Sequence, residues 1–104
     1  MVETLDIIKG DRKILGSLNQ ERSYFGSVEI RDQDGKENIM VFGGMDDNSK
    51  PLSSIETYIP EDNEWALESN FRLEKALEGL CAVNFNNNIY IMGGNAASDS
   101  VDPT

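Results

Sequence analysis

The side chains able to do chemistry are few in kind. The 104 residues include no His and one Cys, so a Ser-His or Cys-His nucleophilic pair cannot be assembled. A zinc finger or a His/Cys metal cluster is excluded on the same grounds. An internal disulfide is excluded too, and nothing points to a secreted, disulfide-stapled scaffold. Cys81 lies between Leu80 and Ala82 with no basic neighbour, which predicts a buried, inert thiol. What remains is carboxylates: Asp46-Asp47, Glu61-Asp62, and Asp99 with Asp102. A calcium loop needs ligands at set spacings around a central Gly, and Asp46-Asp47-Asn48-Ser49 lacks that pattern. These pairs read as solvated surface. No enzyme chemistry, no metal and no cofactor is expected.

Charge narrows the partners. Nine Lys+Arg against 19 Asp+Glu give a net charge of −10. Such a balance opposes nucleic-acid binding, which needs Lys and Arg for the phosphates, and favours a protein partner with a basic segment. The longest apolar runs, such as Ile39-Met40-Val41-Phe42, are far too short to span a membrane. Met1-Val2-Glu3-Thr4-Leu5-Asp6 has neither a basic n-region nor an apolar h-region, and no N-x-[ST] sequon occurs. Cytoplasmic localisation is the expectation.

The elements that must position any site show themselves as a repeat. Ile39-Met40-Val41-Phe42-Gly43-Gly44 recurs 50 residues later as Ile89-Tyr90-Ile91-Met92-Gly93-Gly94. Each run follows a polar turn, Asp34-Gly35-Lys36-Glu37-Asn38 or Asn86-Asn87-Asn88. Upstream of each turn lies another apolar-leaning run, Tyr24–Ile30 or Leu80–Phe85. Two short strands around such a turn are a hairpin signal, and a fully apolar second strand predicts burial on both faces. Leu52–Ile59 brings β-formers, Pro60-Glu61-Asp62-Asn63 is a turn by composition, and Glu64–Glu68 reads as a fourth strand. Residues 68–78 have helix propensity, but their place between repeats reads as a loop with Phe71 and Leu73 tucked under the sheet. Four strands in about 50 residues is the period of a propeller blade.

The residues resemble the kelch-repeat β-propeller family, in which Gly-Gly follows an apolar strand and a Tyr is followed, after six intervening residues, by a Trp. Gly43-Gly44, Tyr58 and Trp65 fit that pattern, and Arg22-Ser23 precedes the first hairpin as an Arg-Ser pair often does in the family. At the second hairpin that position reads Leu77-Glu78. Near the N-terminus, Leu5 stands at the Tyr position and Arg12 near the Trp position. The resemblance implies an all-β fold of kelch-type blades of four antiparallel strands, about two blades, in an incomplete propeller. Residues 1–18 would be the trailing strands of a degenerate blade, 19–69 a complete blade, 70–94 the leading hairpin of the next, and 95–104 a flexible tail. Gly43, Gly44, Tyr58, Trp65, Gly93 and Gly94 take scaffold roles in this reading, the glycines by allowing positive φ and close backbone approach.

The resemblance implies that partners dock on the loops after each Gly-Gly pair and on those leading into the next blade's first strand. Ser23, Met45, Asp46, Asp47, Asn48 and Asn95 are the expected partner contacts. The resemblance implies a protein-interaction module and, for a longer parent with BTB and BACK domains, a substrate-recognition adaptor of a cullin-type ubiquitin ligase. Two alternatives stand beside it. One is a kelch-like sugar-processing enzyme, whose oxidase type needs the His that is missing here. The other is a non-functional or oligomerising fragment, which would self-associate to complete a propeller because unclosed blades leave apolar faces and strand edges open.

Overall fold

The computed structural model describes residues 1–96, all-β and without a helix. The strands are β1 (Val2–Leu5), β2 (Arg12–Leu15), β3 (Gly26–Arg31), β4 (Glu37–Phe42), β5 (Ile55–Ile59), β6 (Glu64–Leu67), β7 (Leu77–Phe85) and β8 (Asn88–Ala96). They form three antiparallel sheets, β1-β2, β3-β4-β5-β6 and β7-β8. The architecture is one complete four-stranded blade between two half-blades, and the described residues do not close a propeller. β8 runs to Ala96, so Asn95 lies in a strand and not in a tail; residues 97–104 of the expected tail lie outside the described residues.

Recurrent aspartates set the turns. Asp32 Oδ1 accepts the N–H groups of Asp34 and Lys36, both at 2.9 Å, and closes the β3–β4 turn around Gly35 at φ +80°. Asp46 Oδ1 does the same with Asn48 and Lys50 at 2.9 Å, around Ser49 at φ +62°. Asp6 caps Ile8 and Lys9 in the β1–β2 turn. Short carboxylates favour such turns because they replace a backbone acceptor without needing a partner from afar.

The core lies between one face of the blade and the inner face of β7–β8. Val28, Met40, Phe42 and Ile55 of the blade meet Leu73 and Leu80, with Ile89 and Ile91 packed against the cluster. β4 is buried on both faces only over its second half: Met40, Val41 and Phe42 are 5%, 3% and 3% exposed, whereas Ile39, the first residue of the apolar run, is exposed at 38%. The matching run in β8 behaves differently. Tyr90 and Met92 are about half exposed because no sheet covers that face. Strand alternation puts Cys81 on the same outer side, so the thiol expected to be buried is exposed. Leu73 tucks under the blade as expected, whereas Phe71 stays exposed.

Candidate functional site

The loop after Gly43-Gly44 is held from below by the backbone. Ser23 and Met45 exchange hydrogen bonds, N–H to C=O, at 2.9 and 2.8 Å, and Met45 bridges on to Pro51. Asp46 is half-buried and committed to its own turn, while Asp47, Asn48, Ser49 and Lys50 are exposed at the tip. Asn95 stands one half-blade further on. It pairs with Glu78 at the place matching the Ser23–Met45 bridge, and its Nδ2 donates to Glu78 Oε1 at 3.3 Å. Structure therefore brings Ser23, Met45 and Asp46 together, with Asp47 and Asn48 above them and Asn95 apart.

Beside this ladder is a groove of about 760 Å³. Glu3, Glu21 and Asp46 contribute three carboxylates to its lining; Ser23, Phe25 and Met45 also line it, and Arg22 is its one cationic side chain. Glu3 and Glu21 escaped the sequence reading because they come from separate elements that only the fold brings together.

The Arg22 cation is already neutralised. Arg22 and Glu56 side chains are both 0% exposed and meet at 2.8 Å from Nη2 to Oε2. Glu56 also accepts the backbone N–H of Asn19 at 2.8 Å and of Gln20 at 3.1 Å. Arg22 donates further to Gly43 O at 2.8 Å, Ser54 O at 3.1 Å and Ser54 Oγ at 2.9 Å. One guanidinium thus ties the loop before β3 to the Gly-Gly turn and to the start of β5. Its planar fork suits several acceptors at once. A buried charge of this kind persists only when paired and hydrogen-bonded. The sequence reading marked Arg22 in the Arg-Ser pair but not its pairing with Glu56; the signal was a lone Glu inside the otherwise uncharged strand β5.

Glycines and aromatics hold the frame. Gly43 and Gly44 have φ of +61° and +95°. A Cβ on Gly43 would lie 2.6 Å from Leu77 O, and one on Gly44 2.6 Å from Ser23 O. Gly93 and Gly94 repeat the torsions at +71° and +93°, yet a Cβ on Gly93 would meet nothing within 4 Å. The Tyr58 and Trp65 rings lie 5.1 Å apart at 50°. Trp65 Nε1 donates to Gly16 O at 3.0 Å, and Tyr58 OH donates to Asn63 Oδ1, which also accepts Gly16 N–H. These contacts staple the end of β2 to the blade. No cluster of three or more His, Cys, Asp or Glu arranged for a metal occurs among the described residues, and no helix there is long and apolar enough to cross a membrane.

Comparison with known proteins agrees with this geometry. Residues 35–72, from the β3–β4 turn through β6, match the Kelch motif. Beta-scruin of Limulus polyphemus is 34% identical over 91 residues, which are 88% of this chain and 9% of that protein. Alpha-scruin of the same organism is 31% identical over 89 residues, 86% of this chain and 9% of the relative. The chain therefore spans about a tenth of the length of these curated relatives. With the motif lying on the four-stranded blade and the likeness extending well beyond it, the chain belongs to the kelch-repeat proteins.

Proposed function

We propose that the chain is a protein-interaction module without enzymatic activity, and that it binds a basic segment of its partner in the groove beside the Gly-Gly loop. The observation that carries this reading is the groove's charge. Glu3, Glu21 and Asp46 line it, while the guanidinium of Arg22 is engaged by Glu56 and backbone carbonyls. A Lys or Arg entering the groove meets Glu21 and Asp46 alongside Glu3, which Arg12 partly offsets at 3.7 Å, in a partly enclosed site where charge pairs are screened less than on open surface. Ser23, Met45, Asp46, Asp47 and Asn48 contact the partner in this reading, and Asn95 extends the surface across the half-blade. Membership of the kelch repeats supports the module; a cullin-adaptor role would belong to a longer parent and rests on family resemblance, and a cytoplasmic location rests on sequence features alone. The open blades support self-association as a second property.

The test is titration of the full chain with an oligo-arginine peptide, with an oligo-glutamate peptide as control. Selective binding that weakens with salt and is lost in E21K/D47K is expected. Binding that is unaffected by these reversals would remove the groove from the function.

A further inference from the structure

Among the described residues, left-handed torsions fall on glycines, on Ser49, Asn63, Asn86 and Asn87, and on one bulky residue, Tyr24, at φ +56°. Asn tolerates that region because its short polar side chain bonds locally; a bulky ring does not.

The repeat shows what the position calls for. The pairs Ser23↔Met45 and Gly26↔Phe42 of the complete blade correspond to Glu78↔Asn95 and Cys81↔Met92 of β7–β8. Tyr24, one residue after Ser23, therefore corresponds to Gly79, one residue after Glu78. Gly79 has φ +70°, and a Cβ there would meet nothing within 4 Å. Space is open, and only the torsion favours glycine. The two equivalent positions also touch, Gly79 N–H donating to Tyr24 O at 2.7 Å.

Burial does not offset the strain at Tyr24. The residue is 68% exposed and stands just before β3, which begins at Gly26. A side chain left in water contributes little to folding, so torsion and exposure both disfavour Tyr here. Strained residues persist where their surroundings fix them, and they collect at sites that use the geometry. The surroundings fix this one: Ser23 and Met45 exchange two hydrogen bonds on one side, and Gly79 holds Tyr24 O on the other. The ring is thus presented from a rigid backbone, which leaves little freedom to be lost on contact.

Acidic groups stand around it. Ser23 and Phe25, the residues on either side, line the groove that also holds Glu21 and Asp46. Glu78, outside the groove's lining, adjoins Gly79, and its carboxylate accepts Asn95 Nδ2 at 3.3 Å. An aromatic face attracts a cation, and neighbouring carboxylates add to that attraction. A guanidinium stacks flat on a ring while its N–H groups reach carboxylates at the side, which a Lys ammonium does less well.

Resting on the reading of the groove as a site for a basic segment, we infer that Tyr24 is the aromatic anchor of that site. Its ring stacks on an arginine side chain of the partner, and the strained torsion is kept because it presents the ring.

Peptide titration and urea unfolding of the full chain test this together. Asn accepts the left-handed torsion but carries no ring. Y24N should therefore unfold at a urea midpoint no lower than wild type, yet bind the oligo-arginine peptide about five-fold more weakly. Y24F keeps the ring and should bind within about two-fold of wild type. Y24L keeps apolar bulk without a π face and should lose as much affinity as Y24N. An oligo-lysine peptide of the same length should be weakened less by Y24N than oligo-arginine is. Binding by Y24N within about two-fold of wild type, full affinity in Y24L, or a urea midpoint lowered by Y24N would each overturn the inference. E21K/D47K separates the anchor from the groove. Loss of binding in that variant with Y24N unaffected keeps the groove and removes the anchor; loss in Y24N with E21K/D47K unaffected keeps the anchor and removes the groove.

Discussion

Removing Arg22 should nearly unfold the blade. Its guanidinium is wholly buried and serves Glu56, Gly43 O, Ser54 O and Ser54 Oγ at 2.8–3.1 Å. R22A leaves the Glu56 carboxylate buried with only N–H dipoles, and Gly43 O loses its charged donor. Breaking one side of a buried pair costs about 3–5 kcal/mol. A small domain has only about 5–15 kcal/mol in all, so this variant should be largely unfolded in mild urea. R22K keeps the charge but not the fork, and should lose about half as much, on the order of 2 kcal/mol. R22M/E56L removes both charges and should be more stable than R22A alone, because no orphan charge stays buried. The assay is urea unfolding at low protein concentration, followed by the fluorescence of the single Trp, Trp65, and by circular dichroism. An R22A cost below about 1 kcal/mol would refute the latch as a structural element. So would a double variant whose cost is the sum of the singles, since groups in contact should couple.

Three further outcomes follow from the same contacts. Gly43→Ala should cost at least about 2 kcal/mol more than Gly93→Ala in urea unfolding; each pays the left-handed penalty, but only at Gly43 does the new Cβ strike a backbone carbonyl. Trp65→Phe should lose about 1 kcal/mol by circular dichroism through the missing indole donor to Gly16 O, with the Tyr58 ring contact retained. Acid should destabilise the chain through Asp6 and Glu61. Backbone N–H groups of Lys9 and Ile8 hold Asp6 below its ordinary value of 3.8, and a hydrogen bond from Lys36 holds Glu61 below 4.5. Each carboxyl binds fewer protons folded than unfolded, so its contribution is present above those ordinary values and fades as pH falls through the lowered ones. Thermal midpoints measured down the acid limb should therefore drop less steeply in D6N and E61Q, and about 0.5 M salt should mute the Glu61 effect more than that of Asp6.

Local signals carried far in this chain. The spacing of Gly43-Gly44, Tyr58 and Trp65, and its echo at Gly93-Gly94, placed the strands and their order before any coordinates. That works because hairpin turns and positive-φ glycines are governed by residues a few positions apart. The absence of His likewise excluded whole classes of chemistry by composition alone. The exposure of Cys81, Tyr90 and Met92 was not legible, since an apolar strand reads the same whether or not another sheet lies over it. Nor was the Arg22–Glu56 pair, whose members are 34 residues apart and meet only because β5 returns beside the loop leading into β3. The groove has the same origin: Glu3, Glu21 and Asp46 belong to three elements that the strand pairing brings to one edge. Sequence by itself determined the blade, because a blade is built from neighbours in the chain. Tertiary structure alone decided which charges are spent inside it and which remain for a partner, because that balance depends on distances across the fold.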